Sequence, residues 1–137
     1  MENNLNIFNV TNKADPLLDE LACTPAGVGN NDFPKNYLSC KSGDNIFHKD
    51  PYYAEYVFHY WFWKNMLKEY DKNSWIGFCQ YRRYWLKEDY DHTTEITRKN
   101  IKENILSSIP DKWENYDSVI AKRIYLNNSK LIKIIKR

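Results

Sequence analysis

Alternating apolar and polar residues mark the start of the chain. Residues 5–11 read L-N-I-F-N-V-T and are rich in β-forming side chains, a pattern typical of a strand. Residues 75–79 form an almost continuous apolar run, which predicts a buried strand. A further apolar stretch at residues 116–121 predicts a third strand. These segments indicate a sheet of about three or more strands.

The longest predicted helix covers residues 51–69. Asp50 is placed as its N-cap and Pro51 as its first residue, a combination that favours helix starts. Eight of the twelve residues from 52 to 63 are Tyr, Trp or Phe. Aromatic residues this dense cannot form one apolar stripe, so we predict a central helix that is covered on most sides.

A second helix is predicted at residues 95–108, with Thr94 as its N-cap. Its isoleucines recur at four-residue spacing and would share one face: Ile101, Ile105 and Ile109. The aromatic helix, a short turn and the strand at 75–79 fit half of a βαβ unit, with the strand at 5–11 preceding them. The predicted fold class is therefore α/β.

Connections between these elements are polar. Residues 22–45 contain three of the four glycines and four asparagines, which predicts a loop whose length is more often functional than idle. Asp15-Pro16 predicts a turn or a helix start. Residues 70–74 and 86–92 predict a turn and a loop.

Composition bounds the classes of function. The 137 residues suit one domain, and 42% hydrophobic with 16% aromatic residues excludes a disordered chain. A formal net charge of +2, with a pI of about 8.3, is too small to indicate a nucleic-acid or membrane-surface protein. We therefore expect no nucleic-acid partner.

The three cysteines are widely spaced and include no C-x-x-C pair, so we expect neither a disulfide framework nor a zinc site. Cys79, on a buried strand, should be inert. The first residues show no signal peptide, and no apolar run approaches the roughly 20 residues that span a bilayer. We expect a cytoplasmic protein, with contact at the inner face of the membrane left open.

The most unusual chemistry follows the strand at 75–79. Arg82 and Arg83 are adjacent and lie between Tyr81 and Tyr84. An arginine is costly to bury without a partner, so the pair should meet an anion, either a protein carboxylate or a ligand phosphate. Glu55, on the aromatic helix, either faces water at the helix edge or pairs with one of the two arginines.

Several segments, in order, resemble a bacterial family known as DUF4422. The residues that carry the resemblance are V-T-N-K at 10–13, P-A-G-V-G at 25–29, G-D-N-I at 43–46, D-P at 50–51, E-Y-V-F-H-Y-W-F-W-K-N at 55–65, I-G-F-C-Q-Y-R-R-Y at 76–84 and Y-D-S-V-I at 116–120. The family pattern has histidine where this chain has Asn12 and Gln80. The resemblance covers about residues 5–121 of a single domain, and residues 122–137 form a divergent basic and apolar tail. Family members continue further, so the resemblance implies either a truncated or divergent member or a fragment of a longer chain.

The resemblance implies a function as well as a fold. The family is associated with capsular and exopolysaccharide glycosyltransferases and is regarded as related to their GT-A fold. We therefore expect a hexosyl- or galactofuranosyltransferase-like protein that moves a sugar from a nucleotide-diphosphate sugar to a glycan acceptor. An inactive remnant, or a binding module that partners another glycosyltransferase, is the alternative. Binding of single-stranded RNA by the aromatic and basic strand is a third hypothesis, and the small net charge weighs against it.

A glycosyltransferase must neutralise the diphosphate that leaves the donor. Arg82 and Arg83 are the candidates for this role, through bidentate contacts with phosphate oxygens. Adjacent residues of a regular strand point to opposite faces, so one arginine should reach the phosphate while the other pairs with Glu55 or Asp44.

Other candidate substrate-binding residues surround this pair. Tyr81 and Tyr84 are candidates for stacking on a base or sugar, or for core packing. Asp44 and Asn45 follow a glycine and either bind sugar hydroxyls or form a turn. Thr11, at the end of the first strand, completes the set.

A divalent cation is the usual partner of the diphosphate in GT-A enzymes, so Mn²⁺ or Mg²⁺ is the candidate cofactor that the resemblance implies. Asp89 and Asp91 form an Asp-x-Asp sequence, but so short a pattern often occurs by chance, and a solvated loop is favoured. The three histidines have no metal-ligand spacing, and His59 is predicted to be a core residue. The sequence identifies no catalytic base.

The end of the chain combines apolar and basic residues at 129–137. Nine residues are too few to indicate a membrane helix, and an apolar edge that packs on another element is the favoured interpretation.

Overall fold

Four parallel strands form the sheet of the computed structural model, which describes residues 4–122. The strands are β1 (Leu5–Thr11), β2 (Thr24–Gly27), β3 (Leu38–Ser39) and β4 (Trp75–Gln80), in the spatial order β3-β2-β1-β4. The α/β class is thus confirmed. The first predicted strand has the bounds of β1, and β4 extends one residue beyond the second.

The alternation along β1 places side chains on two covered faces. Phe8 and Val10 pack against the aromatic helix, where Phe8 lies 4.8 Å from Phe62 between ring centroids. Ile7 faces the opposite side and packs with Cys79 and Leu106. Parallel strands covered on both faces in this way form the core of an α/β protein.

Residues 22–45 are not the uninterrupted loop that we predicted, because β2 and β3 lie within them. Both strands are short, and they form only by pairing with β1 and with each other. Gly27 has a packing reason in β2. A Cβ atom there would lie 2.6 Å from the ring of Phe33, so a side chain would displace that ring.

The predicted helix at 51–69 is broken. It consists of α1 (Asp50–Tyr53), α2 (Tyr56–Asn65) and a 3-10 turn at Leu67–Glu69. The N-cap assignment was also wrong. Asp50 has helical backbone angles, and its carboxylate accepts a hydrogen bond from the backbone N–H of Gly29 at 3.1 Å instead of capping the helix.

Among the described residues, only one face of the aromatic helix is covered. Its buried residues are Val57, Phe58, Trp61 and Phe62. Its exposed aromatic residues are Tyr52, Tyr53, Tyr56 and Trp63. Lys64 places its ammonium 3.9 Å from the Trp63 ring centroid, so part of this outer surface is held by a cation–π contact. The prediction of a helix covered on most sides was wrong.

The second predicted helix is reduced to α3 (Ile101–Asn104). The N-terminal half of the predicted helix forms turns instead. In these turns the Asn100 side chain accepts a hydrogen bond from the Thr97 N–H and donates one to the Glu95 carbonyl. Side chains that bond local backbone in this way compete with helix formation. Ile101 and Ile105 are nevertheless buried, as the spacing predicted.

Residues 116–121 form no strand, and Ile120 is 88% exposed. Local β-propensity is insufficient where no neighbouring strand pairs with the segment. The segment at 129–137 lies outside the described residues. Within residues 4–122, none of the helices has the length and apolar character that crossing a membrane requires.

Candidate functional site

A cleft of about 340 Å³ opens at the carboxyl ends of β1 and β4. The chain leaves β1 toward β2 on one side and returns to β4 on the other, so the cleft lies where the strand order reverses. Ligands of open α/β sheets bind at this position. The cleft is lined by Val10, Asn12, Val28, Gly29, Asn31, Asp50, Ala54, Glu55, Gln80 and Tyr81.

Hydrogen bonds between loops build one wall of the cleft. Asp50 accepts from the backbone N–H of Gly29, which has a φ of 79° and so favours glycine. The side chain of Asn31 donates to the backbone carbonyl of Asn12. These bonds tie the loop after β1 and the loop after β2 to the start of α1.

The opposite wall joins α2 to the end of β4. The amide of Gln80 donates a hydrogen bond to the Oε1 atom of Glu55, and Glu55 is half-buried. The expected ion pair between Glu55 and Arg82 or Arg83 was wrong, since a neutral amide occupies that place. Glu55 faces the cleft rather than open water.

Ala54 breaks the helix next to Glu55. Its φ of 47° and ψ of −125° are rarely adopted by residues with a side chain. Such a conformation costs on the order of 1–3 kcal/mol and persists only where the surrounding structure determines it. Arg82 also has a positive φ, of 65°, so both non-glycine residues with this backbone in the described chain lie at or beside the cleft.

Arg82 and Arg83 lie in a turn and not on the strand. β4 ends at Gln80, whose carbonyl accepts from the Arg83 N–H at 2.8 Å. Strand alternation therefore does not set the directions of the two side chains, contrary to the prediction. The Arg82 guanidinium carbon lies 5.1 Å from the ring centroid of Tyr81, a residue of the cleft. Both arginines are exposed, and neither forms an ion pair within residues 4–122.

The two tyrosines of this segment have different roles. Tyr81 lines the cleft. Tyr84 instead packs against a buried cluster that includes Leu18, Tyr37 and Ile101. Burial raises the pKa of the Tyr84 hydroxyl, with nearby Asp15 adding to the effect.

Asp44 and Asn45 do not line the cleft. Asp44 accepts a hydrogen bond from the Tyr60 hydroxyl at 3.1 Å, and its backbone bonds to the side chain of Asn65. Asn45 forms a turn, in which its side chain accepts from the Phe47 N–H. The turn-forming interpretation is the one that the geometry favours.

Thr11 is also outside the lining of the cleft. Its hydroxyl donates to the Lys13 carbonyl at 2.7 Å and accepts from the Lys13 N–H at 3.1 Å, and the residue is buried. It therefore shapes the loop that carries Asn12.

Asp89 and Asp91 show no metal-binding geometry. The Asp91 carboxylate accepts hydrogen bonds from Thr93 and Thr94, and these bonds, led by that from the Thr93 N–H, lower its pKa. Within residues 4–122, no group of three or more His, Cys, Asp or Glu side chains could hold a metal ion. His59 packs on the Phe78 ring at 4.4 Å, and burial lowers its pKa.

Sequence reasoning missed several residues of the cleft. No feature of the sequence indicated that Asn31 or Ala54 belongs to a site, and Asp50 was predicted only as a helix cap. Asn12 and Gln80 were noted in the sequence as the residues that replace the two histidines of the family pattern. The structure places both in the same cleft.

A larger groove of about 1010 Å³ runs along the open edge of β4. Its aromatic residues include Trp75, Trp85 and Trp113, and the Trp85 indole N–H donates to the Phe78 carbonyl at 3.0 Å. The smaller cleft lies at the carboxyl ends of the strands, the sheet position where ligands bind. The cleft is therefore the candidate site.

Comparison with known proteins gives one match. A family model described as "Domain of unknown function (DUF4422)" matches residues 6–136. No curated protein and no solved structure matches the chain.

Proposed function

The chain belongs to the DUF4422 family, and from this premise we propose that it is a glycosyltransferase of surface or capsular polysaccharide synthesis. In this proposal the donor is a nucleotide-diphosphate sugar and the acceptor is a glycan. The observation that carries it is the cleft where the strand order reverses. Tyr81 lines this cleft, and Arg82 and Arg83 directly follow Tyr81.

The charges at the cleft indicate where the two parts of the donor would lie. The cleft is lined by the carboxylates of Asp50 and Glu55, and no Lys, Arg or His side chain is among its described lining residues. Carboxylates accept hydrogen bonds from hydroxyl groups but repel phosphates. The hydroxyl-bearing part of the donor would lie inside, and its diphosphate outside, near Arg82 and Arg83.

The arginines would supply the charge that the reaction needs. As the bond from the sugar to the phosphate breaks, negative charge grows on the departing diphosphate, and positioned guanidinium groups stabilise that charge. Both side chains are exposed and without an ion pair in the described chain, so both remain able to bind phosphate oxygens.

A non-catalytic binding module is the second candidate function. One observation favours it: Asn12 and Gln80, which replace the two histidines of the family pattern, both line the cleft. An altered pair at the centre of a site would be expected if binding were kept and catalysis lost.

A cytoplasmic location, with contact at the inner face of the membrane, accompanies the proposal. Transfer to a surface polysaccharide would use donors from the cytoplasm and acceptors held at the membrane. Other glycosyltransferases of the same assembly are candidate partners.

Donor binding tests the function directly. We would follow the thermal unfolding of the full chain with UDP-glucose, UDP-galactose, UDP-N-acetylglucosamine and GDP-mannose, each with and without Mn²⁺. A ligand at 100 times its Kd raises the stability of the folded state by about 2.7 kcal/mol. Failure of every nucleotide sugar to raise the Tm would contradict the proposal.

Variants then test the phosphate site. Arg82→Ala and Arg83→Ala should each weaken the binding of the donor that stabilises the parent. Lys87→Ala, an exposed cation further along the chain, is the matched control and should bind like the parent. Parent-like binding by both arginine variants would rule out Arg82 and Arg83 as the diphosphate site while leaving donor binding in place.

A further inference from the structure

Glu55 differs from the other carboxylate of the cleft in how it is held. Asp50 is committed to the fold, since it accepts the Gly29 N–H that ties two loops together. Glu55 is bonded by the Gln80 amide alone among the hydrogen bonds of its side chain in the described residues. Each carboxylate thus has one hydrogen-bonded oxygen, but only the bond of Asp50 ties two loops together. The Glu55 carboxylate, which is held by one side-chain amide, is the one available for proton transfer.

The break at Ala54 directs Glu55 to the cleft. The Ala54 N–H bonds to the Asp50 carbonyl and closes α1, whereas the Glu55 carbonyl accepts from Phe58 and His59 and opens α2. The positive φ between them separates the two helices at the residue before Glu55. Backbone strain at a cleft residue is a feature that functional sites retain.

The partner of Glu55 is also suited to a base. Asp15 shows the contrast, because the Arg98 guanidinium donates to both of its carboxylate oxygens. Gln80 orients Glu55 through a neutral amide that donates to Oε1 alone, so Oε2 accepts no hydrogen bond from the described residues. The Arg82 guanidinium is placed on the Tyr81 ring instead.

We infer that Glu55 is the general base of the site and that Gln80 is its positioning residue. This inference rests on the proposed glycosyl transfer. A hydroxyl of the acceptor attacks the anomeric carbon of the donor, and its proton passes to the Glu55 carboxylate. The bond between the anomeric carbon and the phosphate oxygen breaks, and the nucleoside diphosphate leaves with the electron pair. The anomeric configuration is inverted in this single displacement.

The test uses the donor that stabilises the full chain and measures release of its nucleoside diphosphate, with water or a simple glycoside as acceptor. Glu55→Gln should retain the Tm shift with donor and lose roughly 100-fold or more in turnover, the contribution of a general base. Glu103→Gln, an exposed carboxylate on α3, should turn over donor like the parent.

A pH profile separates a base from a structural residue. The titratable groups near Glu55 are His59 on its own helix and Asp50 and Tyr81, which line the same cleft. Arg82 lies beyond them, on the Tyr81 ring. The fall in turnover toward low pH that the parent shows should be absent from Glu55→Gln and shifted along the pH axis in Gln80→Leu. A variant that only loses packing would turn over more slowly at all pH values.

The possible results separate the failure of the general base from the failure of the transferase. Equal turnover by the parent and Glu55→Gln, or retention of configuration, would overturn the base and leave the transferase standing. Donor binding without turnover by the parent would overturn the base and favour the binding module. Absence of donor binding would remove both.

Discussion

The Arg98 guanidinium binds both carboxylate oxygens of Asp15, with two contacts of 2.8 Å across 83 positions of sequence. Asp15 lies in the loop after β1, the loop that also carries Asn12 into the cleft. The pair therefore fastens the cleft side of the sheet to the segment that precedes α3. It also accounts for part of the missing helix, since Arg98 lies in the turns that replace the predicted N-terminal half.

Arg98→Ala should change how stability depends on pH. Hydrogen bonds from Arg98 are the main cause that lowers the pKa of Asp15 from 3.8 to about 2, and burial acts in the opposite direction. Because the folded-state pKa is depressed, this contribution is complete above about pH 4 and is lost as the pH falls toward 2. Urea unfolding should therefore show the parent more stable than Arg98→Ala at pH 6, with the difference closing near pH 2.

Lys102→Ala is the control for this experiment. It removes the 3.7 Å ion pair with Glu20, whose two side chains are both more than 60% exposed. Exposed pairs contribute little to stability, so this variant should unfold like the parent at both pH values. A difference between the parent and Arg98→Ala that is the same at pH 6 and pH 2 would contradict the assigned role of the Asp15 charge.

Truncation of a side chain should destabilise the protein on the buried face of the aromatic helix and have little effect on the exposed face. Phe58 is fully buried and packs with Phe8, Trp61, Phe62 and Phe78, so Phe58→Ala should lower the free energy of unfolding by about 3–5 kcal/mol. The control, Tyr52→Ala, removes a side chain that is 86% exposed and should change it by less than about 0.5 kcal/mol. Urea denaturation measures both. Comparable losses would mean that the outer face is covered after all.

β1 and β4 could be predicted because their own sequences carry the pattern. Alternation along residues 5–11 and the apolar run at 75–79 are visible in each segment alone, although the two strands pair with each other in the fold. β2 and β3 exist only through pairing with neighbours, and Pro25 within β2 argues locally against a strand. A segment such as 116–121 shows the converse, with strand-forming residues and no strand.

The cleft was predicted only in part for a similar reason. Glu55 and Tyr81 were identified from their chemistry, whereas Asp50 and Asn31 enter the site through hydrogen bonds between loops that are distant in sequence. The helix break at Ala54 could not be predicted from its residue type, because alanine is the strongest helix former. Tertiary hydrogen bonds on either side, from the Gly29 N–H to Asp50 and from the Gln80 amide to Glu55, accompany the break.

The cysteines should resist thiol reagents in the folded protein. Burial raises the pKa of Cys79 to about 12 and that of Cys23 and Cys40 to about 11. Because the thiolate is the reactive form, labelling by a disulfide reagent at pH 8 should be far slower than in 6 M guanidinium, where all three should react. Cys23, which is half-buried, should label before the two buried thiols. Rapid labelling of Cys79 in the native protein would contradict the buried position of β4.

Replacement of Ala54 by glycine should stabilise the protein, although the same change inside a helix normally costs about 1 kcal/mol. Glycine adopts a φ of 47° without steric cost, so relief of strain should exceed the added entropy of the unfolded chain, and we expect a net gain of about 1 kcal/mol. Ala22→Gly is the matched control at an exposed alanine without positive φ, and it should lose about 0.4–1 kcal/mol. Urea denaturation at pH 7 compares the two. If both variants lose stability equally, Ala54 is not strained, and the break in the helix needs another cause. If only Ala54→Gly gains stability and its donor turnover falls, the strained backbone is what holds Glu55 in its working position.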